Sequence, residues 1–193
     1  MDTYHVVLYL HLLSLLLAIA AAGIVGACLF GLRRAQTLAE AAPWGMLAGK
    51  TARAFPVAIL GLFATGAYMT SDVWSWSTDW IVVSIVGLAL IALQGPVLAE
   101  PRKKALQHAL MANGPGPLGD EARRMTRDPI LWIVAFTNPA IALGIAWDMT
   151  QKPGTAGAIA AIVVAYAVGS AFAIYFTQAA PAAGTAPVGE PAG

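Results

Sequence analysis

The residues best suited to haem or metal chemistry in this chain are three histidines, and their spacing limits what they can do. His5 and His11 are six residues apart, about 600° around a helix, so their rings leave on different faces and cannot grip one ion together. His108 falls in a segment that, by the charge argument below, lies on the opposite side of a membrane. A haem held by two histidines of one chain is therefore excluded. A b-type haem on His11 would need a methionine, another ligand or an open position on its far face. Met69 and Met149, each near the end of an apolar run, are soft ligands that could join His11 around Cu(I). Methionine in such runs is more often plain filling.

His11 is the most informative polar residue, because it stands roughly five residues inside an apolar segment, where an ionisable group marks a functional site by default. Ser14 and Ala18 share its helical face, and Thr65 and Ser84 lie at similar depth in other segments. Three roles fit: a neutral imidazole bonded to one of those hydroxyls or to a kinked backbone carbonyl and joining two helices, a haem or metal ligand, or a proton carrier. The first is the plainest. There is no carboxylate pair inside an apolar run, no Ser/His/Asp set, no glycine-rich phosphate loop and no zinc spacing, so hydrolytic chemistry has no visible machinery. The reading leans away from an enzyme. No cofactor is assigned, with haem b on His11 as the alternative.

The elements that must position these residues follow from the charges. The chain has 193 residues, 59% hydrophobic and 11% charged, with a mean hydropathy of +0.70. A soluble domain carries roughly 25% charged residues. Nothing charged falls between Asp2 and Arg33, Arg53 and Asp72, Asp79 and Glu100, or Asp128 and Asp148, and a fifth charge-free stretch follows Lys152. Each is long enough to cross a hydrocarbon core of about 30 Å, which takes roughly 18 to 20 helical residues. Only helices or closed barrels satisfy their backbone in lipid, and these runs lack the alternation of barrel strands. The expected fold is an all-α integral membrane protein, a bundle of five transmembrane helices with a four-helix core and a C-terminal fifth. The spans are expected at about 4–32, 55–70, 80–99, 130–147 and 155–177, in one domain over 1–177. Residues 178–193, rich in Ala, Pro and Gly, have too few large apolar groups to offset ordering entropy and are expected to be disordered.

Ten of the eleven cations fall in segments 33–53 and 100–128, whereas the other connections hold Asp2, Asp72, Asp79 and Asp148 against Lys152 alone. Basic connections stay cytoplasmic, so the N-terminus is expected outside and the C-terminus inside a bacterial cytoplasmic membrane. Trp74, Trp76, Trp80 and Trp147 collect at the expected outer boundary, where indole rings settle at headgroup depth. The start Met1-Asp2-Thr3 lacks the positive region of a signal peptide, and the first run is read as a retained helix. A net charge of +1 gives no footprint for nucleic acid, and the single Cys28 can form neither a disulfide framework nor a thiolate cluster within the chain.

Smaller features concern packing. Segment 103–111 reads as a short helix continuing span three, its Leu106 and Leu110 four apart and its cations facing lipid phosphates, until GPGPLG breaks it. Gln94-Gly95-Pro96 is expected to end span three, and Asn138-Pro139 to kink span four. Span five carries Gly157, Ala161, Ala165, Gly169 and Ala173, a small residue at every fourth position, which permits close approach of another helix within the chain or between subunits.

The opening YHVVLYLHLLS, the stretch GKTARAFPVAILGLFATGAYM, the loop WSWSTDW, then GPVLAEPRKKAL and WDMTQKP together resemble an uncharacterised bacterial family of small predicted integral membrane proteins, itself similar to the copper-resistance D membrane domain. The resemblance covers about residues 4–153 and makes the fifth span an extension. It implies a small helical membrane fold, and it makes His11 the position matching a first-helix haem ligand of related proteins. The lysine that accompanies that histidine in the haem-pathway oxidase type has no counterpart inside the membrane here. Taken together, the expected function is a non-catalytic accessory or scaffold subunit, contacting lipid and other membrane subunits or itself. A redox protein carrying b-type haem on His11, or a copper-handling protein, is the alternative.

Overall fold

The computed structural model describes residues 2–114 and 116–178. Apart from Gln178, the expected tail lies outside them. Among the described residues there are eight α-helices: α1 (Thr3–Arg34), α2 (Leu38–Ala52), α3 (Ala54–Val73), α4 (Asp79–Gln94), α5 (Glu100–Met111), α6 (Asp120–Met125), α7 (Pro129–Gln151) and α8 (Thr155–Gln178). Five stretches are long and apolar enough to cross a membrane: Thr3–Arg34, Leu38–Val73, Asp79–Met111, Asp120–Gln151 and Thr155–Gln178. The chain is thus an all-α five-helix bundle with the build of a multi-pass membrane protein. With 32 residues, α1 is about 48 Å long, well beyond the hydrocarbon thickness.

Local chemistry sets the ends. The Asp128 carboxylate accepts from the N–H groups of Ile130 and Leu131 at 2.9 and 3.3 Å, and Pro129 fills the first helical position, where a missing N–H costs nothing. Lys152 stops α7 in the left-handed region (φ 51°) with its N–H on Asp148 O, and Pro153 prevents continuation.

Two connections differ from expectation. Segment 33–53, read as a loop, is mostly helix α2, because Thr37 caps it: Glu40 N–H donates to Thr37 Oγ1 at 3.3 Å, and the Glu40 carboxylate reaches back to Gln36 N–H at 2.8 Å. The Gln94-Gly95-Pro96 break does not end span three. Gly95–Ala99 forms a π-turn, closed by Glu100 N–H on Gly95 O, and the helix continues through α5. One widened turn accommodates a proline that has no N–H to donate.

In the bundle α1 lies beside α2, α3 and α7, while α7 also contacts α4 and packs most closely against α8. The fifth span is therefore integral to the bundle. The larger apolar core fills the end where the cations collect, called the basic end below, and it includes Leu29, Leu32, Leu106, Leu110, Leu131 and Trp132. Leu106 and Leu110 thus face protein, leaving Arg102, Lys103 and Lys104 outward. Trp132 is fully enclosed, its Nε1–H donating to Thr126 O at 3.1 Å and its face covered by Arg33 at 5.7 Å. A second cluster, Ile141, Ile145 and Ile162, joins α7 and α8, with Val83 and Ile91 of α4 packed on it. Large apolar side chains such as Val57, Leu60, Val86, Leu93, Val163 and Val164 point outward, as lipid contact requires.

Candidate functional site

His11 is buried in the α1–α3 contact, with 4% of its surface exposed. Two glycines let the helices meet there: a Cβ on Gly61 would collide with the Ser14 hydroxyl, and one on Gly66 would touch His11 Cε1 at 3.4 Å. Thr65 Oγ1 lies 2.5 Å from Gly61 O and 2.8 Å from His11 Nδ1. A hydroxyl has one proton, and the short bond to the Gly61 carbonyl takes it. Nδ1–H of His11 is then the donor to Thr65, which leaves the lone pair on Nε2. That atom is buried and has no hydrogen-bond partner.

The other end of the bundle, opposite the basic one, gathers four of the six tryptophans. Trp74 and Trp80 meet edge to face at 5.4 Å, Lys152 Nζ stands 4.6 Å over Trp74, and Trp76 and Trp147 are each 48% exposed. Asp79 Oδ2 accepts from Thr155 N–H at 3.0 Å, tying the α3–α4 turn to the α7–α8 turn.

Just inside this end lies a residue that sequence reasoning placed in a loop. Asp148 belongs to α7, is fully buried, and neither carboxylate oxygen has a hydrogen-bond partner. The bond between Thr137 Oγ1 and the Gln94 side chain at 3.0 Å, and the packing of Ile145 on Gly87, set an antiparallel register between α4 and α7. One turn further along, that register brings Ser84 level with Asp148, and Ser84 Oγ is also buried without a partner. WDMTQKP held the signal: Pro153 ends the helix, so Asp148 lies one turn inside it.

The remaining residues singled out by the sequence serve packing. Met149 packs on the Ile141–Ile145–Ile162 cluster, on the α4/α7/α8 side, whereas His11 is held on the α1/α3 side. Met69 is half-buried on α3, one turn beyond Thr65. His11, Met69 and Met149 are not brought together as one ligand set by these contacts, and among the described residues no three His, Cys, Asp or Glu side chains gather as a metal site. Cys28 is fully buried in protein. The small-residue stripe of α8 lies against α7 within the chain. Gly144 approaches Ala165 Cβ and Ala161 O, a Cβ on Gly169 would lie 2.8 Å from Phe136 O, and Ala173 is 1% exposed; Gly157 sits near Pro153 at the turn.

A haem iron must bond Nε2 with a flat macrocycle spread around it. Nε2 is the atom such an iron would take, and it is buried without a hydrogen-bond partner. No family model, curated protein or solved structure matches the chain.

Proposed function

We propose that this chain is a non-catalytic accessory or scaffold subunit of a membrane assembly, a member of the small membrane-protein family its motifs resemble, in a bacterial cytoplasmic membrane. The observation that carries the reading is the His11–Thr65 bond: the most conspicuous ionisable side chain of the first span joins α1 to α3 from inside the packed bundle. The outward apolar faces of α3 and α8 are available to lipid, to other subunits or to a second copy. The N-terminus is outside and the C-terminus inside, supported by the cation distribution and by the tryptophans at the opposite end.

The second reading, a b-type haem on His11, is favoured by the unpartnered Nε2 alone. An absorption spectrum of the purified protein decides between the two. The accessory reading expects no Soret band; a band abolished by His11→Ala would replace it with the haem reading. For orientation, cysteines at Ser75 and Gln151 are expected to react with a membrane-impermeant thiol reagent in intact cells, and one at Asn113 only after lysis. Labelling at 113 from outside would reverse the orientation.

A further inference from the structure

At the basic end, where the short α6 turns into α7, a hollow of about 640 Å³ is lined by Arg123, Arg124 and Arg127 together with Asp120, Asp128 and Pro129. Its charges are unequally engaged. The Asp128 carboxylate is taken up by the first N–H groups of α7 and lies 3.6 Å from Arg102, which is outside the lining. Arg124 pairs with Glu121, and Arg123 uses only its Nε–H, on Leu118 O at 2.7 Å, leaving the outer fork of the guanidinium for another acceptor. Arg127 is exposed. The guanidinium forks of Arg123 and Arg127 are thus the ones open to an anion.

The position of the hollow says which anion. Pro129, the first residue of an apolar 23-residue helix, is two residues beyond Arg127, so the hollow opens at the level where that helix leaves the hydrocarbon. Phospholipid phosphates lie at that level, and basic residues beside the end of a membrane helix attract anionic headgroups. Arginine forks match phosphate oxygens two at a time. We propose that this hollow binds the phosphate of an anionic phospholipid headgroup. The inference is independent of whether the chain is an accessory subunit.

The test titrates delipidated full-length protein in neutral detergent with phosphatidylglycerol, phosphatidylcholine or inorganic phosphate, counting bound lipid by native mass spectrometry. Phosphatidylglycerol is expected to bind in preference to phosphatidylcholine. The preference should fall about fivefold in Arg127→Gln and about 25-fold in Arg123→Gln/Arg127→Gln, at roughly fivefold per arginine. Arg53→Gln/Lys104→Gln removes the same charge elsewhere at the basic end and should change the preference less than twofold. Equal loss in that control would show diffuse surface attraction and overturn the site. Equal binding of the two lipids would also overturn it, as would inorganic phosphate displacing phosphatidylglycerol at equal concentration, which marks a soluble-anion site. If the double variant does not fold, Arg127→Gln alone decides: a fivefold loss supports the site and an unchanged preference overturns it.

Discussion

The two main helix contacts of the bundle are built from different chemistry. Along α7–α8 the backbones approach closely over small residues: Gly144 lies against Ala161 and Ala165, and Gly169 against Phe136, Thr137 and Ala140. Along α1–α3 the glycines in close contact are Gly61 and Gly66, and a side-chain hydrogen bond, His11 to Thr65, crosses the contact. In lipid there is little hydrophobic gain from bringing helices together, so dispersion at short range and internal hydrogen bonds are what remain. The first contact should fail when volume is added, and the second when a donor is removed.

The largest effect is expected at Gly169. A Cβ there meets Phe136 O at 2.8 Å and Thr137 Cα at 2.9 Å, backbone atoms that cannot rotate away. Gly169→Leu should push α8 off α7 and destabilise by about 3 kcal/mol or more. Ala165→Leu, facing Gly144, should cost about 1 to 3 kcal/mol, while Val163→Leu, 59% exposed, should be nearly neutral. Thermal aggregation in detergent ranks the three, and equal midpoints for Ala165→Leu and Val163→Leu would dismiss the stripe as a packing surface.

Asp148 sharpens the contrast from the other direction, since it is a polar group inside the α4/α7 side with nothing to bond. A buried acceptor without a donor carries an uncompensated desolvation cost of about 1 to 3 kcal/mol, more if charged. Asp148→Asn keeps the shape, removes any charge and supplies an N–H₂ at the level of Ser84. Its unfolding midpoint should rise by several degrees at neutral pH. A fall would show that the carboxylate is bonded in the membrane.

The difference between the contacts also explains what could be read in the residues beforehand. Five charge-free runs announce five helices because ionisable groups are expelled from hydrocarbon wherever they serve no purpose. The α8 stripe is legible for the same reason that it works, because a four-residue period of Gly and Ala has a single geometric meaning on a helix. Helix α2 was hidden by Pro43, Gly45 and Gly49, although Thr37 and Glu40 stood at capping-box spacing. Depth and helical face leave Ser14, Thr65, Ser84 and a backbone carbonyl as partners for His11, and depth cannot choose between Thr65 and Ser84. The choice is made by which helices are neighbours, and Gly61 and Gly66 draw α3 rather than α4 against α1. A span ending at Trp147 puts Asp148 in the connection, one turn short of Gln151, where α7 ends.

The polar contact is tested by a double-mutant cycle on His11 and Thr65. His11→Ala leaves the Thr65 hydroxyl bonded to Gly61 O but without its donor, and Thr65→Ala leaves Nδ1–H unpaired. Interhelical hydrogen bonds measured this way in membranes average about 0.6 kcal/mol and reach about 1.7. A coupling within that range, read from denaturant unfolding in micelles, is expected. Additive single effects would mean that the ring is held by packing against Gly66 alone.

The smallest effect is expected at the turn joining the close pair, where two opposing contributions meet on one residue. Lys152 is the single described non-glycine residue with positive φ, at 51°, a conformation that costs an L-residue about 1 kcal/mol relative to glycine. Its ammonium group stands 4.6 Å over the Trp74 ring, and an exposed cation–π contact contributes about 0.5 to 1 kcal/mol in the opposite sense. Lys152→Gly removes both contributions at once, so in the native background its midpoint should stay within about a degree of the parent. Trp74→Leu removes only the attraction. Lys152→Gly added to Trp74→Leu should therefore stabilise by about 1 kcal/mol, because the strain is relieved with nothing left to lose. If Lys152→Gly stabilises equally in both backgrounds, the ammonium group gains nothing from the ring, and lysine at this turn is explained by its position at the membrane boundary rather than by Trp74.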